Sequence, residues 1–93
     1  MSKRIVFVRR GYLERKDFEN FLYYVKKIAK YDPLRQEWFF SVDVAKNNVK
    51  NLEELIEILD VLSKYTLLTS EIKNEIIRLY KNAATKIILD VNN

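Results

Sequence analysis

The 93-residue sequence contains no histidine and no cysteine, and only one glycine and one proline. Without cysteine there is neither a disulfide nor a thiolate nucleophile, and without histidine the commonest general base and transition-metal ligand are both missing. A phosphate-cradling loop needs several glycines so that backbone amides can close on the anion, and Gly11 alone cannot supply one. Nowhere do about eighteen uncharged apolar residues follow one another, so no segment reads as a membrane span. Met-Ser-Lys-Arg followed by Ile5 to Val8 begins like a signal peptide, but Arg9 and Arg10 end the apolar stretch too early. That points to a cytoplasmic location.

What is present is enough for one domain. Apolar residues make up 48% of the sequence and aromatics 13%, a composition that folds. A chain this short buries only about 60–65% of the surface exposed by its unfolded form, so one modest core is the limit. Charge is uneven: Met1 to Arg35 holds ten Lys or Arg against four Asp or Glu, whereas Gln36 to Asn93 holds seven against nine. The net +4 is therefore concentrated in the first third, an asymmetry that suggests a basic surface and an anionic partner, although chance clustering on a solvated surface gives the same count.

Local patterning predicts an α+β domain with a three- to four-stranded sheet and three helices in the order β-α-β-α-α-β, the helices mainly on one face. Arg4 to Val8, β-branched and aromatic, reads as a strand closed by Arg9, Arg10 and Gly11. Asp17 offers an N-cap, and Phe18, Phe21, Leu22, Val25, Ile28 and Ala29 follow at helical spacing, predicting a helix to Lys30. Pro33 stops it and Asp32 to Arg35 reads as a turn. Glu37 to Val44 alternates as a strand, with Trp38, Phe40, Val42 and Val44 on one face. Lys46 to Lys50 reads as a polar loop. Asn51 with Glu54 then starts a second helix carrying Leu52, Leu55, Ile56, Leu59 and Leu62, to about Lys64. Thr69 or Ser70 caps a third helix with Ile72, Ile76, Leu79, Tyr80 and Ala83, and Thr85 to Val91 reads as a closing strand. Ending on Asp-Val-Asn-Asn directly after that strand, the sequence reads equally as a whole protein or as an excised N-terminal module.

Few residue groups suggest chemistry. A Ser-Lys dyad at Ser41, Ser63 or Ser70 has no spacing in its favour. Glu53, Glu57 and Asp60 share the solvent face of a helix, which explains them without a metal. Asp43 and Asp90 are the carboxylates a metal-dependent nuclease would use, and they need convergent partners. No catalytic residue, metal or cofactor is expected. The basic groups are better motivated. Lys26, Lys27 and Lys30, with Tyr23 and Asn20, fall on the side of the first predicted helix away from its apolar stripe. That placement suits phosphates, and equally suits the negative end of the helix dipole. Arg9, Arg10, Arg15 and Lys16 flank Gly11 and Tyr12 in the following loop, and Arg35 joins them from the Asp-Pro turn. Tyr12, Tyr31 and Trp38 are candidate stacking groups, although such rings more often border a core.

The stretch Lys30-Tyr31-Asp32-Pro33-Leu34-Arg35-Gln36-Glu37-Trp38-Phe39, leading through a polar loop into Asn51-Leu52-Glu53-Glu54-Leu55-Ile56-Glu57-Ile58-Leu59, resembles the N-terminal damage-recognition-like domain of archaeal XPB-type, superfamily 2, DNA helicases. There an aromatic-Asp turn with an arginine precedes an aromatic strand and a helix. The resemblance spans about a third of the chain, and of the candidate contacts only Arg35 and Trp38 sit on its motif. It departs from the pattern in the helix expected from Asp17 to Lys30 and in the third helix. It implies a small module that contacts DNA beside two ATP-driven motor domains in repair or transcription, none of whose motifs occurs here. The expectation is thus a non-catalytic nucleic-acid-binding accessory domain, with DNA as partner through Arg9, Arg10, Arg15, Tyr23, Lys26, Lys27, Lys30, Arg35 and Trp38. The alternative is a protein-interaction module using the acidic helix from Asn51 to Lys64 or an exposed strand edge.

Overall fold

The computed structural model describes the backbone of residues 4–92 and the side chains of residues 4–83. Its elements are β1 (Val6–Phe7), α1 (Arg15–Val25), β2 (Ala29–Asp32), β3 (Glu37–Phe40), α2 (Val42–Asn48), α3 (Leu52–Tyr65) and α4 (Ser70–Asn92). The class is α+β with a three-stranded antiparallel sheet, as the patterning predicts. The element order differs, and four helices replace three.

β3 is the central strand, in the order β1-β3-β2. Val6 lies opposite Phe39 and Phe7 opposite Trp38, while Lys30, Tyr31 and Asp32 face Phe39, Trp38 and Glu37. Because side chains alternate along a strand, Ile5, Phe7, Ala29, Tyr31, Trp38 and Phe40 share one face. Four of these, Ile5, Phe7, Ala29 and Phe40, are buried in the core with Phe21 and Val25 of α1, Leu55, Ile58, Leu59 and Leu62 of α3, and Ile76 and Tyr80 of α4. The other face carries Arg4, Val6, Val8, Lys30, Asp32, Glu37 and Phe39, none of them buried. The helices therefore pack on one face. Beyond β1, the Leu67 amide donates to the Val8 carbonyl (2.8 Å) and the Arg10 amide to the Tyr65 carbonyl (2.9 Å), so residues 65–67 cover that edge.

Five expectations are corrected. The first helix ends at Val25 rather than Lys30: the amides of Lys27 and Ile28 bond to the carbonyls of Tyr24 and Val25, tightening the last turn, and Ala29 enters β2. Ile28 and Ala29 fit the helical spacing but are buried because the chain turns back into the core with them. The strand predicted to Val44 stops at Phe40, because the Ser41 hydroxyl accepts from the Val44 amide at 3.3 Å and caps α2. Val42, Ala45 and Val49 then sit at helical spacing against the core, so residues 46–48 are helix and not loop. On α3 the buried position is Ile58, and Ile56 points outward. Finally, residues 85–91 continue α4 instead of forming a strand. No glycine or proline interrupts the run from Ser70, and β-branched residues cost a helix only a few tenths of a kcal/mol each, so nothing breaks it.

β1 is confined to Val6–Phe7, and α1 starts at Arg15 with Glu14 at its N-cap position and no side-chain cap bond. The expected cap Asp17 therefore lies inside the first turn, where its charge suits the helix N-terminus. The starts of α3 and α4 follow the sequence signals. The Asn51 side chain accepts from the Glu54 amide at 2.9 Å, while Glu54 accepts from the Lys50 amide at 2.9 Å, a reciprocal start for α3. Thr69, the first of the two expected caps, accepts from the Ile72 amide at 3.1 Å.

Candidate functional site

The chain runs outward along β1, through the loop of residues 8–14, and back along α1 over the sheet. That path leaves a hollow of about 380 Å³ between the first turns of α1 and the hairpin end of β2 and β3. Phe7, Phe18, Phe21, Tyr31 and Trp38 line it together with two cations, Arg9 and Arg35, and with Gln36 and Glu37 of the hairpin. Arg9 follows the alternation of Ile5 and Phe7 onto the inner face, which carries its guanidinium to 5.2 Å from the centre of the Phe18 ring. Tyr31 and Trp38, a cross-strand pair, stand with ring centres 5.1 Å apart and planes tilted by 53°. Trp38 is half-buried and braces Tyr31, whose ring is open to solvent.

The hairpin turn places Arg35. Asp32 Oδ1 accepts from the amides of Leu34 (3.0 Å) and Arg35 (3.3 Å), an aspartate turn after β2, and Gln36 takes a left-handed φ of 54° to return the chain to β3. On the outer face Arg4 lies 4.0 Å from the centre of the Phe39 ring and reaches the carboxylates of Asp32 (2.7 Å) and Glu37 (3.7 Å). Partial desolvation pushes the Asp32 carboxyl up. The Arg35 and Leu34 amides and the Arg4 guanidinium outweigh it and hold the group below the usual carboxylate range. Arg4 thus occupies the two carboxylates nearest the hollow, while Arg9 and Arg35 have no ion-pair partner among the described residues. One guanidinium balances only one of those two carboxylates, and Glu37 also lines the hollow, so Arg4, Arg9 and Arg35 against Asp32 and Glu37 leave a net charge of about +1 there.

Of the nine residues expected to contact nucleic acid, the fold brings together Arg9, Arg35 and Trp38. Arg10 turns away, its Nε donating to the Ser63 carbonyl at 3.4 Å by the end of α3. Arg15 pairs with Glu19 at 3.4 Å one turn along α1. Lys26 and Lys27 lie beyond the other end of α1, whose eleven residues span about 16 Å, and Lys27 sits 5.0 Å from the centre of the Tyr23 ring. Lys30 is on the outer face of β2. The expected cationic helix face therefore does not form, since α1 stops before any of these three lysines. A shallower depression of about 510 Å³ at Lys16, Asp17, Glu19, Asn20, Tyr23 and Tyr65 brings two carboxylates with one lysine, a poor setting for an anion.

Among the described residues no three acidic side chains converge as metal ligands would. Asp43 stands in the first turn of α2, where its charge suits the helix N-terminus, and Asp90 lies outside the described side chains. Ser41 and Ser63 are engaged with the backbone as a cap and as a donor to the Leu59 carbonyl. Phe18 and Arg4 are the contributors the sequence reading missed. Phe18 reads from its spacing as a core residue, and Arg4 gains a role only because its side chain reaches along the outer face, over Phe39, to Asp32 and Glu37. No family model matches the chain, and no curated protein or solved structure is significantly similar to it. Among the described residues no helix is long and apolar enough to cross a membrane.

Proposed function

We propose that this chain is a non-catalytic DNA-binding accessory domain that holds phosphates through Arg9 and Arg35. The single observation carrying this reading is that two guanidinium groups without an ion-pair partner among the described residues, Arg9 and Arg35, line one aromatic-walled hollow. Arginine suits phosphate geometry, and release of condensed counterions supplies the affinity. Arg35 and Trp38 are also the two candidate contacts on the motif that resembles the helicase module, which motivates placing the domain beside such motors. In that setting ATP hydrolysis would belong to motor domains in the same cytoplasmic assembly.

The experiment is fluorescence anisotropy of labelled DNA against the protein and an Arg9→Glu/Arg35→Glu variant at two salt concentrations. Two phosphate contacts on a single strand predict a log–log salt slope of about −1.4, or roughly sevenfold weaker binding for about a fourfold rise in salt. The variant should lose that component. Absence of binding at low salt, together with self-association or capture of a protein partner, would move the assignment to a protein-interaction module.

A further inference from the structure

Resting on that DNA-binding reading, we infer that the hollow receives one unpaired nucleotide of a single strand, its base against the Tyr31 ring and its flanking phosphates on Arg9 and Arg35. The shape carries this. A duplex presents its phosphates on a convex surface and keeps its base faces inside the stack, so it would meet the two arginines but leave the recessed rings unused. A single strand offers charge and aromatic face together. The volume of about 380 Å³ falls at the small end of the range of ligand pockets, about 300–1,000 Å³, room for a base and not for a helix.

The rings are arranged for that use. Tyr31 is 46% exposed although it sits on the face of the sheet that builds the core, since β2 is an edge strand. Trp38 stands against the Tyr31 ring at 5.1 Å with the two planes tilted by 53°. Arg9 stands over Phe18, and both line the hollow with Tyr31, so a base entering it would meet a cation as well as a phenol ring. Recognition by stacking tolerates any base, so the Tyr31 ring by itself sets no sequence preference.

Trp38 is the only tryptophan, so its emission reports on the hollow directly. The test compares a short oligothymidylate, an abasic strand with the same number of phosphates, and a blunt duplex, using anisotropy and Trp38 fluorescence on the intact chain. Oligothymidylate should change the Trp38 emission and bind about 5- to 150-fold more tightly than the abasic strand, the yield of one base–aromatic stack. Tyr31→Ala should bring the two affinities together, and Tyr31→Phe should restore the difference. Equal binding of oligothymidylate and abasic strand with unmoved Trp38 emission, while Arg9 and Arg35 still govern affinity, would overturn the base insertion and leave the DNA-binding reading in place. Failure of every strand to bind at low salt would overturn both.

Discussion

Asp32 illustrates how much one side chain in this domain has to hold. Its Oδ1 closes the hairpin turn on two amides and its Oδ2 anchors Arg4 from the other end of the sheet. These partners favour the ionised form, so the folded carboxyl titrates below its unfolded value. The stability it contributes is therefore fully present above roughly pH 3.9, the ordinary aspartate value, and is lost as pH falls through the lower folded value. Asp32→Ala should melt at a lower temperature than the parent near neutral pH. The gap should narrow in thermal scans taken below that value, where the parent is protonated too. Asp32→Asn keeps a turn acceptor without the charge and should lie between them. A gap constant across acid pH would mean that the carboxylate's charge contributes nothing.

At the scale of elements, Ser41 decides where the sheet ends. The pattern Trp38, Phe40, Val42, Val44 is as regular as any strand, yet the same residues also offer Val42, Ala45 and Val49 to a helix, and a capping serine resolves the choice. Ser41→Ala should cost about 0.5–2 kcal/mol in denaturant melts. The contrast between Ile56 and Ile58 separates the faces of α3: Ile58→Ala should destabilise by about 2–5 kcal/mol and Ile56→Ala by no more than about 0.5 kcal/mol. Elements with both a cap and a stripe, such as α3 with Asn51 and the start of α4 with Thr69, are legible in the sequence because two independent local signals agree. The end of α1 is not, since Ile28 and Ala29 satisfy helical spacing while their burial is determined by hairpin pairing, a nonlocal event. Residues 85–91 mislead for a related reason. A β-branched run needs a strand partner to become sheet, and here the helix behind it simply continues. The hollow was half legible: Arg9, Arg35 and Trp38 stand out by residue type, but nothing local says that β1, α1 and the hairpin deliver them to one place while taking Arg10, Arg15 and the lysines elsewhere.

Across the whole molecule, two of the basic pairs of the first third are separated by the length of α1. Arg9 and Arg35 sit at the hollow, and Lys26 and Lys27 sit past the opposite helix end, about 16 Å of helix away. Net charge alone cannot distinguish them, which makes a matched comparison decisive. Arg9→Glu/Arg35→Glu and Lys26→Glu/Lys27→Glu each lower the net charge by the same amount, so any attraction set only by overall charge must fall equally in both. At about 0.1 M salt the screening length is about 10 Å, shorter than the separation of the groups, so charges beside Lys26 act weakly on a ligand seated at Trp38. The arginine pair should therefore abolish the salt-sensitive binding of single-stranded DNA measured by anisotropy, while the lysine pair reduces it by no more than about threefold, the share expected of distant charges. If the lysine pair is as damaging as the arginine pair, the domain binds through its diffuse field. If it is more damaging, phosphates lie along the far end of α1 and the hollow is not where DNA is held.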